Sequence, residues 1–267
     1  MSGEAASHEA RLNMLRVVNT VILIYLLAPI IVVVATAFGT SPYPVFPPVG
    51  LTLKWFDRFL SNPDLVRSTE LSAALSFVST LCATTIGTLA ALALVRHRFR
   101  AKVVISALLL SPILFPTIVL GLALLVAFTR IGLAQTFAGL VAAHTVLITP
   151  FVIRLVMASL ADLDGSIEEA ARNLGSGRLR TFFLITLPII RPGLLAGALF
   201  GFIISFDELV VTLFLAGPGL QTLPIRIFSS IEYSSDPTIS AISSCLIATW
   251  IIFGVPVYMR FLAVQRA

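Results

Sequence analysis

The sequence predicts an all-α membrane protein with six transmembrane helices. Its 267 residues are 58% hydrophobic and only 12% charged, and the mean hydropathy is +1.01. A water-soluble domain averages about 45–50% apolar and about 25% charged residues, so the excess of apolar surface must face lipid. Uncharged segments of the ~20 residues needed to cross a bilayer also recur along the chain. Together these observations exclude a soluble domain.

Five spans follow from segments without Asp, Glu, Lys or Arg, and a further one is apolar except for Asp207 and Glu208. In the third span, Pro112 and Pro116 are expected to kink the helix and to free backbone carbonyl groups toward a cavity. We expect a single transmembrane domain over residues 1–267. The predicted spans cover residues 17–38, 71–95, 103–128, 134–157, 192–215 and 238–261.

The basic residues orient these spans. Cytoplasmic loops of membrane proteins carry an excess of Lys and Arg. Placing both termini in the cytoplasm (N-in/C-in) puts all but five of the 18 Lys and Arg residues on that side. Membrane topology therefore explains the net charge of +5, and nucleic acid is not predicted as a partner. The five outer residues are Lys54, Arg58, Arg67, Arg130 and Arg226.

The first outer loop, residues 39–70, is expected to begin with an extended proline-rich segment and to continue into a short helix. Leu53, Phe56 and Leu60 fall on one face of this helix. That pattern is typical of a helix that lies on the membrane surface.

The largest cytoplasmic segment, residues 159–191, is predicted to form two short helices separated by a glycine. Gly175 closes the first helix in the left-handed conformation, which costs glycine no steric penalty. Pro188 is expected to redirect the chain before it re-enters the membrane. The product is a compact knob with apolar tips and basic flanks, which is suited to docking into a partner's cleft.

Seven residues of this segment stand at fixed spacings: Glu-Ala-Ala, then Gly after three residues, then Ile-x-Leu-Pro after nine more. This pattern resembles the cytoplasmic signature of the permease subunits of binding-protein-dependent ABC importers. The six predicted spans agree with the type I fold of those permeases. The matching residues are Glu169, Ala170, Ala171, Gly175, Ile185, Leu187 and Pro188.

The resemblance implies a set of partners and a location. In that family, the loop is a coupling helix that sits in a groove of a cytoplasmic ATPase subunit. The expected partners are two such ATPase subunits, a second permease subunit that is a related chain, and a periplasmic or extracellular solute-binding protein. The expected location is the bacterial plasma (inner) membrane, where the chain also contacts lipid.

No enzyme is predicted from the residues. The only lysines, Lys54 and Lys102, lie outside any glycine-rich phosphate-binding loop. ATP and Mg²⁺ are therefore expected on the partner ATPase, and no cofactor on this chain. Cys82, Cys245 and the three histidines show no metal-ligand spacing. Neither a catalytic residue nor a metal site is predicted.

Within the family, the sequence is similar to spermidine/putrescine-type permeases. The similarity lies in residues 204–211 (Ile-Ser-Phe-Asp-Glu-Leu-Val-Val), 216–218 and 222–227. One position departs from it, because Thr117 follows the proline of the third span where those permeases usually carry an acid. The resemblance thus implies a polyamine, and the departure leaves a smaller amine, an opine or an amino-acid-like compound as alternatives.

Asp207 and Glu208 are the candidate residues for a solute pathway, together with Ser205 and Thr117. A carboxylate at the centre of a span costs about 2.5–3.5 kcal/mol, so it is expected to face a wet cavity or a partner charge. Adjacent helix residues point about 100° apart, so both acids cannot face one pathway equally. We expect one to line the route of a cationic solute and the other to pair with a basic group or to cap a helix break with Ser205. The alternative is that both acids fix helix packing near the outer interface.

Gly193, Gly197 and Gly201 recur every four residues in the fifth span. This spacing allows two helix backbones to approach closely. The family resemblance implies that the glycines lie near the second permease subunit as a sliding surface, whereas simple helix packing is the alternative.

Two other functional classes fit six helices. A self-contained channel or secondary carrier could use intramembrane acids as a proton relay, but it has no use for residues 159–191. A membrane anchor of a larger complex would need no polar residues within its spans.

Overall fold

A computed structural model describes residues 2–161, 165–233 and 236–266, and every regular element within them is helical. Two short segments interrupt the α-helices: a 3₁₀ turn at Ser111–Leu114 and a π-helical turn at Phe182–Thr186. Residues 162–164 of the predicted coupling loop and residues 234–235 lie outside the described residues. The helices are α1 (Ser2–Ala37), α2 (Lys54–Leu60), α3 (Pro63–Arg96), α4 (Lys102–Leu110), α5 (Thr117–Arg130), α6 (Phe137–Ala161), α7 (Gly165–Asn173), α8 (Arg178–Thr181), α9 (Leu187–Asp207), α10 (Val210–Leu215), α11 (Leu223–Tyr233) and α12 (Thr238–Arg266).

The prediction of an all-helical membrane protein is confirmed. Four described helical segments are long and apolar enough to cross a bilayer: Arg11–Ala37, Pro63–Arg96, Phe137–Ala161 and Arg178–Asp207. The pair formed by Lys102–Leu114 and Thr117–Arg130 counts as a fifth span if it is taken as one broken helix. Helix α12 has 29 residues, and the part of it that could be tested for apolar character is Thr238–Ile252. The sixth span and the N-in/C-in orientation stay predictions.

The third span is broken more sharply than the kink predicted at Pro112 and Pro116, and its range of residues 103–128 stays a prediction of one broken span. Its two halves meet at 112°. Pro112 lies in the 3₁₀ turn, and Phe115 and Pro116 are extended, with ψ of 141° and 133°. The physical reason is that the residue before a proline avoids the helical region, and that proline itself donates no backbone hydrogen bond.

The fifth span is displaced from its predicted range of residues 192–215. The continuous helical segment begins at Arg178 and ends at Asp207, and residues 210–215 form the separate helix α10. Pro188 does not redirect the chain, because it occupies the first turn of α9. It lies inside the continuous segment Arg178–Asp207, directly after the π-helical turn, and local π adjustments allow a proline to be tolerated within a membrane-spanning helix.

One compact unit comprises the residues up to Val66 together with those from Ser229 onward. In this unit, Trp55 of α2 donates its indole N–H to the carbonyl oxygen of Gly39 at 2.8 Å. Trp55 is buried beside Ala37 of α1 and Ala241 of α12. The predicted short helix over residues 53–60 is thus present as α2, and its buried face packs on α1 and α12.

The second compact unit runs from Arg67 to Phe228, and its largest apolar core lies between α3, α6 and α9. Gly193, Gly197 and Gly201 lie in this core. A Cβ atom at Gly197 would be 3.3 Å from the Cα atom of Val152 in α6. The glycines therefore allow α9 to approach α6 of the same chain. This contact supports the packing alternative, and a position of α9 near the second subunit stays a prediction.

Candidate functional site

The break between α9 and α10 brings the two candidate acids into different environments. Glu208 is extended, with ψ of 109°. Its Oε1 atom accepts a hydrogen bond from the backbone N–H of Val211 at 2.8 Å, so its carboxylate caps α10. Asp207 ends α9, is exposed, and forms no ion pair within the described residues. Of the two acids, Asp207 is the one whose charge is open to a ligand.

His144 of α6 holds this break together. The ring is fully buried. Its Nδ1 atom lies 2.8 Å from the Ser205 hydroxyl of α9, and its Nε2 atom lies 2.9 Å from the Thr212 hydroxyl of α10. Thr212 donates its own proton to the carbonyl oxygen of Glu208 at 2.8 Å. We therefore assign the tautomer in which Nε2–H donates to Thr212 and Nδ1 accepts from Ser205.

This arrangement concerns Ser205 and His144. Ser205 is 2% exposed and bonds to His144 at the helix break, and its place in the solute pathway stays a prediction. His144 was missed because the sequence shows it as one of three scattered histidines. The available signal was a histidine within an otherwise uncharged span, since a buried polar side chain there needs partners.

The broken third span lies beside the same region. Gly121 of α5 packs against α10, where a Cβ atom at Gly121 would be 3.3 Å from the Cα atom of Val211. Thr117 is the exposed first residue of α5, about one turn before Gly121. Glu208 precedes Val211 by three residues. Both helix breaks therefore lie within about a turn of one contact between α5 and α10.

Broken helices of this kind have a chemical consequence. Irregular backbone at membrane depth is tolerated only where it is buried in protein or lines a water-filled cavity. Transporters place solute sites at such discontinuous helices, where backbone groups and helix ends are free to bind ligands. Thr117 and Asp207 each lie at one of two such helix breaks.

The predicted coupling loop forms a surface-exposed tip. Gly175 has a φ angle of +89°, which confirms its predicted left-handed conformation. The backbone N–H of Ser176 closes the end of α7 on the carbonyl oxygen of Ala171 at 3.0 Å. Glu169 and Ala170 are exposed, and Leu174 is 89% exposed. An apolar side chain this exposed at a helix end suits a protein partner.

The second half of the motif is not part of this tip. Ile185 lies in the π-helical turn, and Leu187 and Pro188 begin α9. Ile185 and Leu187 are half-buried. These residues therefore connect the tip to a membrane-spanning helix.

Glu168 is a second residue that sequence reasoning missed. It precedes the motif and is 4% exposed. Its Oε1 atom accepts hydrogen bonds from Arg96 of α3 and from the Thr186 hydroxyl. Its Oε2 atom lies 3.5 Å from Arg172, one turn further along α7. The spacing of Glu168 and Arg172 was the only local signal, because Arg96 and Thr186 are distant in sequence.

Comparisons with known proteins agree with this geometry. Residues 83–265 match the family described as binding-protein-dependent transport system inner membrane component. The chain is 33% identical over 228 residues to the spermidine/putrescine transport system permease protein PotC of Escherichia coli (strain K12), covering 85% of this chain and 86% of that protein. It is 32% identical over 237 residues to the putrescine transport system permease protein PotI of the same strain, covering 86% and 84%. It also shares its fold with a chain of a bacterial ABC transporter involved in the import of the acidic polysaccharide alginate, with a TM-score of 0.68, 17% identity, and coverage of 95% and 96%.

Proposed function

The chain belongs to the family of binding-protein-dependent transport system inner membrane components, and on that premise we propose that its solute is a polyamine or a related small amine. As a member of this family, the chain is a permease subunit of an ABC importer, lies in the bacterial inner membrane and is not an enzyme. The alternatives of a self-contained carrier and of a membrane anchor are set aside.

Importers of this family combine a permease with an ATPase, a second permease and a solute-binding protein. The finer assembly belongs to our proposal: two ATPase subunits that bind ATP and Mg²⁺, and a related chain as second permease. In it, the exposed tip formed by Glu169, Ala170, Ala171 and Gly175 enters the ATPase groove, and Ile185, Leu187 and Pro188 connect that tip to α9. The exposed Leu174 and the ordered end of α7 support this docking role.

One observation carries the choice of a cationic solute. Asp207 ends a membrane-spanning helix with an exposed carboxylate that has no ion pair within the described residues. A charge at this position is expensive unless it meets water or an opposite charge. The ammonium group of an amine supplies that charge. The similar permeases PotC and PotI, which belong to spermidine/putrescine and putrescine transport systems, support the same class.

The test is uptake into vesicles that contain the assembled complex. Uptake of labelled spermidine or putrescine should require both ATP and the binding protein. Asp207→Asn should lower that uptake about tenfold or more, because a hydrogen bond to a charged group contributes about 1.5–3 kcal/mol. Glu208→Gln should have a smaller effect, since Gln keeps an acceptor for the N–H of Val211.

Asp57→Asn is the matched control, because it removes an exposed carboxylate from α2. It should leave uptake unchanged. Unchanged uptake in assembled Asp207→Asn complexes would remove the acid from the pathway. Uptake of only neutral or anionic solutes by the wild-type complex would exclude the amine.

A second candidate solute is a less charged amine, such as an opine or an amino-acid-like compound. Thr117 favours it, because a neutral hydroxyl stands where similar polyamine permeases usually carry an acid. Competition of these compounds against labelled spermidine distinguishes the two. A polyamine carrier should be inhibited best by other polyamines.

A further inference from the structure

Helix α7, which carries the exposed tip, has an unusual attachment to the rest of the chain. Its nine residues are all described, and Glu168 is the only one that is buried. Surface helices normally dock through an apolar stripe. Here the single buried side chain is a carboxylate, so apolar packing does not fix the position of α7.

Two partners of Glu168 come from membrane-spanning segments, and the third, Arg172, lies on α7 itself. Arg96 is the last residue of α3, and Thr186 immediately precedes α9. Arg96 donates from the same Nη2 atom to Glu168 and, at 3.0 Å, to the Thr186 hydroxyl. Thr186, which is fully buried, donates to Glu168 in turn. The three side chains close a triangle that joins α7 to the end of α3 and to the start of α9.

Such a triangle resists partial opening. A buried carboxylate is stable only while it is paired and hydrogen-bonded, and loss of one partner leaves an uncompensated charge. Displacement of α7 must therefore either carry Arg96 and Thr186 with it or break the cluster. The first is favoured, because elements held by a fully satisfied polar network move together.

We propose that Glu168, with Arg96 and Thr186, is a positioning residue that transmits movement of the ATPase-bound tip to α3 and α9. The inference rests on the proposed coupling role of α7. Glu168 itself contacts neither ATP nor solute. Its effect is on how much transport each hydrolysed ATP produces.

The experiment measures solute uptake and phosphate release in the same vesicles, with the ATPase, second permease and binding protein assembled. Glu168→Gln and Arg96→Gln should each lower uptake per ATP hydrolysed about fivefold or more, in the range of coupling between linked sites. ATP hydrolysis and the amount of copurified ATPase should stay near wild type. The double variant should be no worse than either single variant, because the two residues act as one unit.

Arg98→Gln is the matched control. Arg98 is exposed, lies two residues from Arg96 and forms no ion pair within the described residues. It should keep the wild-type ratio. A wild-type ratio in Glu168→Gln or Arg96→Gln would overturn the proposal, and so would a loss of assembly with an unchanged ratio in the complexes that form.

If Glu168→Gln and Arg96→Gln fail to assemble with the ATPase, variants of Thr186 test the proposal. Thr186→Val replaces the hydroxyl with a methyl group and should lower uptake per ATP hydrolysed. Thr186→Ser keeps the hydroxyl and should keep the wild-type value. Equal uptake per ATP in the two variants would overturn the proposal. Failure of the underlying function is recognised separately, because the wild-type complex would then show no ATP-dependent uptake.

Discussion

At the scale of single residues, two buried polar side chains, His144 and Glu168, connect helix ends in this permease. His144 satisfies a hydroxyl on each side of the break between α9 and α10. Glu168 accepts hydrogen bonds from Arg96 at the end of α3 and from Thr186 directly before α9. Neither residue is marked by a sequence motif. Each acts through partners that are far away in the chain.

His144→Leu should destabilise the protein by about 1–3 kcal/mol, because Leu leaves the buried Ser205 hydroxyl without its partner. The change should appear as a lower thermal midpoint of the purified protein in detergent. His97→Leu is the control, since His97 is exposed. Equal midpoints in the two variants would show that His144 does not hold the break.

Gly175→Val should reduce ATP-driven uptake, because it places a β-branched residue at a φ of +89°. The left-handed conformation costs such a residue about 1–2 kcal/mol. No neighbouring atom would contact the new Cβ, so the effect is backbone strain alone. It should appear as weaker copurification with the ATPase.

Gly177→Val separates strain from size. A Cβ at Gly177 also meets no neighbour, but its φ of −66° suits any residue. It should therefore keep uptake and ATPase binding near wild type. The coupling role of the tip is wrong if Gly175→Val behaves like Gly177→Val.

At the scale of elements, α9 packs on α6 along a row of glycines, and the distance between the two helices varies along this row. A Cβ atom at Gly193 would lie 2.5 Å from the carbonyl oxygen of Leu155, a backbone atom that cannot turn aside. At Gly201 the nearest atom is Cδ1 of Ile148 at 3.4 Å, an ordinary contact. The helices are therefore closest near the coupling loop and more loosely packed toward the break.

Gly193→Ala should destabilise the protein by about 1–3 kcal/mol through overpacking. Gly201→Ala should not destabilise the protein, because its new methyl group fits the existing space and Ala favours a helix over Gly by about 0.5–1 kcal/mol. Denaturation midpoints of the two purified variants provide the measurement. The reverse order would contradict the packing of α9 on α6.

At the scale of the whole molecule, orientation in the membrane follows from the distribution of charge. The basic residues favour cytoplasmic termini, a cytoplasmic loop at residues 96–102 and a cytoplasmic α7. Residues 39–70, 129–135 and 216–236 are predicted to face outward. Of the two outer serines suited to labelling, Ser61 is exposed and Ser234 lies outside the described residues.

In a background without Cys82 and Cys245, Ser61→Cys should react with a membrane-impermeant thiol reagent added outside intact cells. Ser176→Cys should react only after the membrane is opened. These outcomes follow from the N-in orientation. Labelling of Ser176→Cys from outside would show that the orientation is the reverse of the predicted one. Helix α7 would then lie on the outer side of the membrane, where it could not contact a cytoplasmic ATPase.

The chain alone, without any fold, predicts the class, the approximate spans, the family and the conformation of Gly175. These properties depend on local features: the length of apolar segments, motif spacing and the φ freedom of glycine. None of them depends on a contact between residues that are distant in sequence.

The packing of the helices was needed to show where the third and fifth spans break, which acid is open to a ligand, and that the glycines contact α6. Lipid-facing and protein-facing positions are both apolar, so hydrophobicity along a span does not distinguish the two faces. The partners of buried polar groups are also remote: Glu168 and Arg96 are separated by 72 residues, and His144 and Thr212 by 68. Hydrogen bonds that satisfy such groups arise when helices pack, which is why the pattern of residues along the chain does not contain them.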